Sequence, residues 1–219
     1  MGDNYVNRLK NHLSYSWHIY LLVGVLIVLV WSFAFSILGE PKYNEKIEIF
    51  IGVDSVQDEG LEEYLTSKTK DALNLKLISI DNFDPSDKYY SMVFNTRGIN
   101  VSDILILSDN DVSDGKVEKF ASPIGEKTIS YITNNKEFDL LIVNGVVYGI
   151  KIFDPKDESK KYFENYIQYI PNKDKEDTEK HQSFWLIFNG ISKNTANIDG
   201  VNKDDSWGNA IVFAKNILE

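Results

Sequence analysis

The stretch that decides the fold is KIEIFIGV, residues 46–53. Ile47, Ile49 and Ile51 alternate with Glu48 and Phe50, which is the two-residue period of a strand. Asp54-Ser55 ends it. Two further runs of this kind follow, LKLISI at 75–80 and SDILIL at 102–107. A helical pattern separates each from the one before. In residues 58–75, Leu61, Tyr64, Leu65 and Leu73 recur at helical spacing, with Glu62, Glu63, Lys68 and Lys70 on the other face. A second helix is expected to start at Asp84-Pro85-Ser86-Asp87, to carry Tyr89, Tyr90, Met92 and Val93, and to stop near Gly98. The order β-α-β-α-β predicts parallel strands joined by crossover helices, hence a three-layer α/β domain. Ligands of such sheets sit at the carboxyl ends of the strands. Those ends are marked by Asp54-Ser55, Asp81-Asn82 and Ser108-Asp109.

Further along, the pattern changes. FASPI at 120–124 is short and irregular. DLLIV and VVYGIKIF flank Asn144-Gly145, the strongest short hairpin signal, so residues 138–143 and 146–153 predict an antiparallel hairpin added to the sheet. Residues 154–177 are charged, with an aromatic and apolar stretch at 162–170; residues 173–180 read as an exposed loop. SFWLIF at 183–188 is an apolar strand. Residues 206–218 predict a last helix whose buried face holds Trp207, Ile211, Phe213, Ala214 and Ile217.

Upstream lies IYLLVGVLIVLVWSFAFSIL, residues 19–38, without a charged side chain. At 1.5 Å per residue it spans roughly 30 Å, the thickness of a bilayer's hydrocarbon core. Tyr15, Trp17 and Tyr20 sit at one end, where aromatic rings favour the headgroup level. A cleaved signal peptide would have a shorter apolar run ending in small residues; this one ends Ile37-Leu38-Gly39-Glu40-Pro41. The expectation is an uncleaved transmembrane helix at 19–38, a leader at 1–18, a short linker at 39–45 and an outer domain at 46–219. Arg8 and Lys10 outweigh Asp3 in the leader, which places it in the cytoplasm and the domain outside. Myristoylation wants Ser or Thr where Val6 stands.

The whole chain carries −10 and residues 1–39 carry +1, so the remainder carries −11. That balance excludes nucleic acid as a partner, because phosphate binding needs clustered Lys and Arg. The chain has no cysteine, so disulfides, a lipoprotein anchor and a thiol nucleophile are excluded. Together with heavy use of Lys, Asn, Ile and Asp, this points to a bacterial source low in G and C.

Catalytic signals are weak. The three histidines are never paired at metal-ligand spacing, and no P-loop, Gly-x-Ser-x-Gly or Gly-x-Gly-x-x-Gly occurs. No cofactor and no metal are expected. Asp109, Asp111 and Ser113 alternate like the start of a calcium loop, but Asp114 stands where Gly belongs and Phe120 where Glu belongs. Trp185 and Trp207 are candidate sugar platforms, weighed against ordinary core roles.

Strands KIEIFIGV, LKLISI and SDILIL, then Phe120-Ala121-Ser122-Pro123-Ile124, Gly145-Val146-Val147-Tyr148-Gly149-Ile150 and Asn189-Gly190-Ile191-Ser192-Lys193-Asn194, resemble the extracellular solute-binding proteins of ABC transporters. The chain resembles a reduced relative with a single lobe. The family's Pro after Tyr-Gly-Ile is missing, its lipoprotein cysteine is replaced by a helix, and the middle is too short for a second lobe. The resemblance implies a non-catalytic accessory subunit beside a transporter permease. A small solute such as a sugar would meet Asp54, Ser108, Asp109, Tyr148 and Trp207. A structural or sensory subunit working through protein contacts is the alternative, and a carboxylate-based hydrolase is the third reading.

Overall fold

The computed structural model describes residues 3–113, 115–157, 159–169, 182–201 and 206–219. The expected loop at 173–180 lies outside the described residues. The chain divides into two compact units, Met1–Glu40 and Pro41–Glu219.

The first unit is one helix, α1 (Asp3–Gly39). Leader and apolar span are thus continuous, because no Gly or Pro interrupts residues 3–18. Within it Tyr15–Phe35 is long and apolar enough to cross a membrane, and none of that stretch is buried.

In the second unit, β1 (Lys46–Ile51) leads to a two-residue strand β2 (Ser55–Val56) and helix α2 (Asp58–Thr69). Leu61, Leu65 and Thr69 of α2 are buried, one side chain per turn. The helix is shorter than its periodicity predicts, ending at Thr69 and not at Leu75. β3 (Leu77–Asn82) then pairs in parallel with β1, Ile47 opposite Ile78. The next crossover runs through α3 (Tyr90–Val93), which widens into a π turn at Phe94–Ile99. β4 (Ile104–Ser108) closes the parallel trio and passes straight into the single turn α4 (Asp109–Val112).

Helix α5 (Glu126–Thr133) has no counterpart in the sequence reading. Its Thr and Ile content disfavours helix, and tertiary contacts override that preference: the Thr128 hydroxyl donates to the Ile198 carbonyl and Ile132 enters the core. β5 (Leu140–Val143) and β6 (Val146–Phe153) form the expected hairpin. Asn144 and Gly145 both have positive φ (50° and 80°), as its tight turn demands. Finally come β7 (Ile167–Gln168), which pairs with β2, then β8 (Phe184–Phe188) and α6 (Asn209–Leu218).

The main sheet has the order β3-β1-β4-β8-β6-β5. β8 is antiparallel to both β4 and β6, so β3, β1, β4 and β6 run one way and β8 and β5 the other. The sheet is mixed, with its antiparallel half larger than a single added hairpin. Helices α2, α5 and α6 cover one face over Ile47, Ile49, Ile51 and Leu186. The other face buries Phe50, Leu105, Leu107 and Ile187 against Tyr90 of α3 and Val112 of α4.

Residues 43–45 are fastened to this unit. Asn194 Nδ2 donates to the Tyr43 carbonyl (2.9 Å), Asn209 Nδ2 donates to the Asn44 carbonyl (2.7 Å), and Lys76 pairs with Glu45 (2.9 Å). The expected linker at 39–45 is therefore mostly part of the domain.

Candidate functional site

A cleft of about 200 Å³ opens at the carboxyl edge of the parallel strands. β1 supplies its floor through Gly52, Val53 and Asp54. The end of β4 contributes Ser108, with Asn110 and Asp111 from α4. Asp84 and Ser86 come from the loop before α3, and Tyr90 from α3 itself. Tyr169 follows β7, while Gln182 precedes β8 and Phe184 opens it. The chain joins this unit at the opposite edge, where β1 begins; six residues of strand, on the order of 20 Å, lie between.

Asp111 is the centre of the polar wall. Its Oδ2 accepts from the Tyr90 hydroxyl (3.0 Å) and from Ser108 Oγ (3.1 Å). Burial raises the Asp111 pKa above the ordinary carboxylate value, against the opposing pull of the Tyr90 and Ser108 bonds. Burial, with the Asp111 charge beside it, also pushes the Tyr90 phenol well up. Gly52 makes the arrangement possible: a Cβ there would stand 2.5 Å from the Tyr90 hydroxyl.

A carboxylate whose pKa rises on folding favours the folded state most at low pH, and that contribution is lost as pH rises through the folded value. Asp111→Asn removes the loss. Its melting temperature at neutral pH is expected to equal or exceed that of the wild type, and the gap should close as pH falls into the carboxylate range. Thermal melts across that range check this.

Tyr169 is 4% exposed and stacks on Phe153 at 4.4 Å. Its hydroxyl is fully buried without a hydrogen-bond partner, the only such side-chain atom among the described residues. An orphaned buried hydroxyl costs about 1–3 kcal/mol. Tyr169→Phe is therefore expected to stabilise the ligand-free protein by about 1 kcal/mol or more, read as a rise in urea midpoint; a fall would show that the hydroxyl is satisfied in solution.

The five candidate residues do not converge. Asp54 and Ser108 line the cleft. Asp109 stands beside it, but its carboxylate accepts from the Ser183 backbone N–H (2.9 Å) and Trp185 Nε1 (2.6 Å), which clamps β8 to β4. Tyr148 packs with the cluster around Phe50 and Leu105, because β8 separates its strand from β4. Trp207 precedes α6 rather than lying within it and stacks on Tyr131 at 4.8 Å. Trp185 is a buried residue of the sheet, not a platform.

The calcium-like run does not form a loop. It folds as the helical turn α4, Asp109 spends both oxygens and Asp111 its Oδ2 on the bonds above, and no group of metal-binding side chains occurs among the described residues. Neither Asp111, the third residue past the end of β4, nor Tyr90, the first residue of α3, was among the five candidate residues, although both lie near the carboxyl edge that the strand order predicts. Tyr169 carries no such signal. No protein-family model matches the chain, and no curated protein matches it.

Proposed function

We propose that this chain is a membrane-anchored, extracytoplasmic binding domain, without catalysis of its own, that captures a small polar solute beside a bacterial ABC-transporter permease. One observation carries the reading. The cleft at the carboxyl edge brings together a buried carboxylate held by two hydroxyls and a buried tyrosine hydroxyl with no partner. A site that keeps polar groups unsatisfied or destabilised favours whatever completes them. The apolar stretch Tyr15–Phe35 supports anchoring, and the net positive leader supports an outward-facing domain. Pinning of residues 43–45 leaves only a short tether. That suits a fixed accessory subunit better than a carrier that shuttles.

A structural or sensory subunit is the second reading. It is favoured by β5, which has a neighbouring strand on one side alone among the described residues and on which Ile142 is 59% exposed.

A thermal-shift library on the detergent-solubilised full chain separates the two. A solute at 100 times its Kd adds about 2.7 kcal/mol of stability. Stabilisation by one chemical class supports capture. Silence across sugars, amino acids and amines, with a membrane protein copurifying, supports the second reading.

A further inference from the structure

We infer that the amino edge of the main sheet is a docking surface for the headgroup layer of an anionic bilayer. This rests on the anchored reading of Tyr15–Phe35. Four large apolar side chains stand exposed along that edge: Tyr43 before β1, Leu77 at the start of β3, Val101 before β4 and Ile191 after β8. Hydrogen bonds tie their segments together. Asn194 Nδ2 donates to the Tyr43 carbonyl (2.9 Å) and the Lys46 carbonyl (3.1 Å), and Lys46 is the register partner of Leu77. Asn189 Nδ2 donates to the Gly98, Ile99 and Ser102 carbonyls, which holds the segment after β8 against the turn that carries Val101.

Single exposed apolar side chains are ordinary on a protein surface. Charge sets this edge apart. Residues 1–40 balance, so Pro41–Glu219 carries the full −10. The segments of this edge do not share that sign: 41–48 and 97–103 are neutral, and 70–77 and 189–194 carry +1 each. Glu45 is paired with Lys76 and Glu48 with Lys46. Arg97 and Lys193 are exposed and make no ion pair among the described residues. The Lys193 ammonium lies 6.0 Å from the Tyr43 ring centre. Anionic lipid attracts these cations and repels the acidic remainder, so it selects this edge. Aromatic rings and long lysine stems interleaved in this way suit the headgroup level. A protein partner fits less well, because lysine is depleted at protein interfaces. The edge is also where the chain enters: four residues separate Gly39, the end of α1, from Tyr43, a reach of at most about 14 Å.

The test uses the full chain in nanodiscs of phosphatidylcholine and phosphatidylserine that carry a nitroxide at the lipid headgroup. The chain has no cysteine, so Asn100→Cys, exposed beside Val101, and Ser86→Cys, on the opposite edge, each place a single fluorescent label. The label at position 100 is expected to be quenched about twofold or more over that at position 86, and more strongly with phosphatidylserine than without it. A tether alone would also bring position 100 near lipid, so charge reversal decides. Ile191→Glu with Lys193→Glu should remove roughly half or more of the quenching at position 100. Lys88→Glu, on an exposed lysine before α3, should leave it unchanged. Melting curves confirm folding; should the double change unfold the protein, Lys193→Glu alone replaces it with the same expectation. Quenching that survives charge reversal would assign the proximity to the tether and overturn the docking. Quenching that needs an added membrane protein would assign the edge to a protein partner and overturn it too. No quenching at position 100, with the chain held in the nanodisc, would overturn the inference and leave the anchor standing. A chain that does not enter nanodiscs would sink the anchor and the inference together.

Discussion

Replacing Asp103 with alanine is expected to lower the stability of the Pro41–Glu219 unit by about 3–5 kcal/mol. Asp103 is 6% exposed and lies at the amino edge of the sheet, opposite the cleft. Its Oδ2 accepts from the Glu48 backbone N–H (3.0 Å) and Asn194 Nδ2 (3.1 Å), and its Oδ1 accepts from Ser192 Oγ (2.5 Å). Removing the carboxylate leaves these donors without it in a buried setting. Asn194 Nδ2 also donates to the Tyr43 and Lys46 carbonyls, so the same change loosens the point where the tether joins β1. For a domain of this size the loss corresponds to a drop on the order of 10 °C in melting temperature. A soluble fragment from Pro41, a compact unit with its own core, is the material to melt. A cost under about 1 kcal/mol would mean that water replaces the carboxylate and that the hub is dispensable.

Phe188→Ala should be comparably damaging, at about 3–5 kcal/mol. Phe188 is fully buried on β8, opposite Ile104, and its ring joins the core beneath α2 and α6. Truncation opens a cavity beneath those helices, where the backbone is held by the β4 ladder on one side and by the Ser122 N–H on the other and cannot collapse inward. Ile191, three residues on, is 58% exposed, and Ile191→Ala should stay within about 0.5 kcal/mol. The contrast checks the placement of β8 directly. Similar urea midpoints for the two variants would contradict a central strand.

That placement also shows where sequence reading stops. The first crossover strands were legible because Ile47, Ile49 and Ile51 keep strict alternation. The hairpin was legible because Asn144-Gly145 accepts positive φ cheaply. SFWLIF was legible as a strand, but an apolar run names no neighbour. That β8 inserts between β4 and β6 depends on long-range pairing, such as Leu105 with Ile187 and Ile150 with Leu186. Helix α5 was hidden by its β-branched residues.

The site followed the same division. Asp54 and Ser108 line the cleft: the carboxyl edge of a parallel sheet is predictable from strand order. Tyr148 lies away from this cleft because β8 displaces β6 from β4. Trp207 lies away from this cleft, stacked on Tyr131, just before α6 begins. Tyr169 arrives from the long excursion between β6 and β8, whose course no local pattern records.

The central claim is an anchored domain whose cleft is open to the outside. Because the chain has no cysteine, Ser86→Cys on the exposed rim of the cleft provides a single thiol. Intact cells expressing this variant of the full chain are treated with a membrane-impermeant maleimide. The account predicts labelling without permeabilisation, slowed by whichever solute stabilises the protein. Labelling that appears only after the membrane is permeabilised would contradict it.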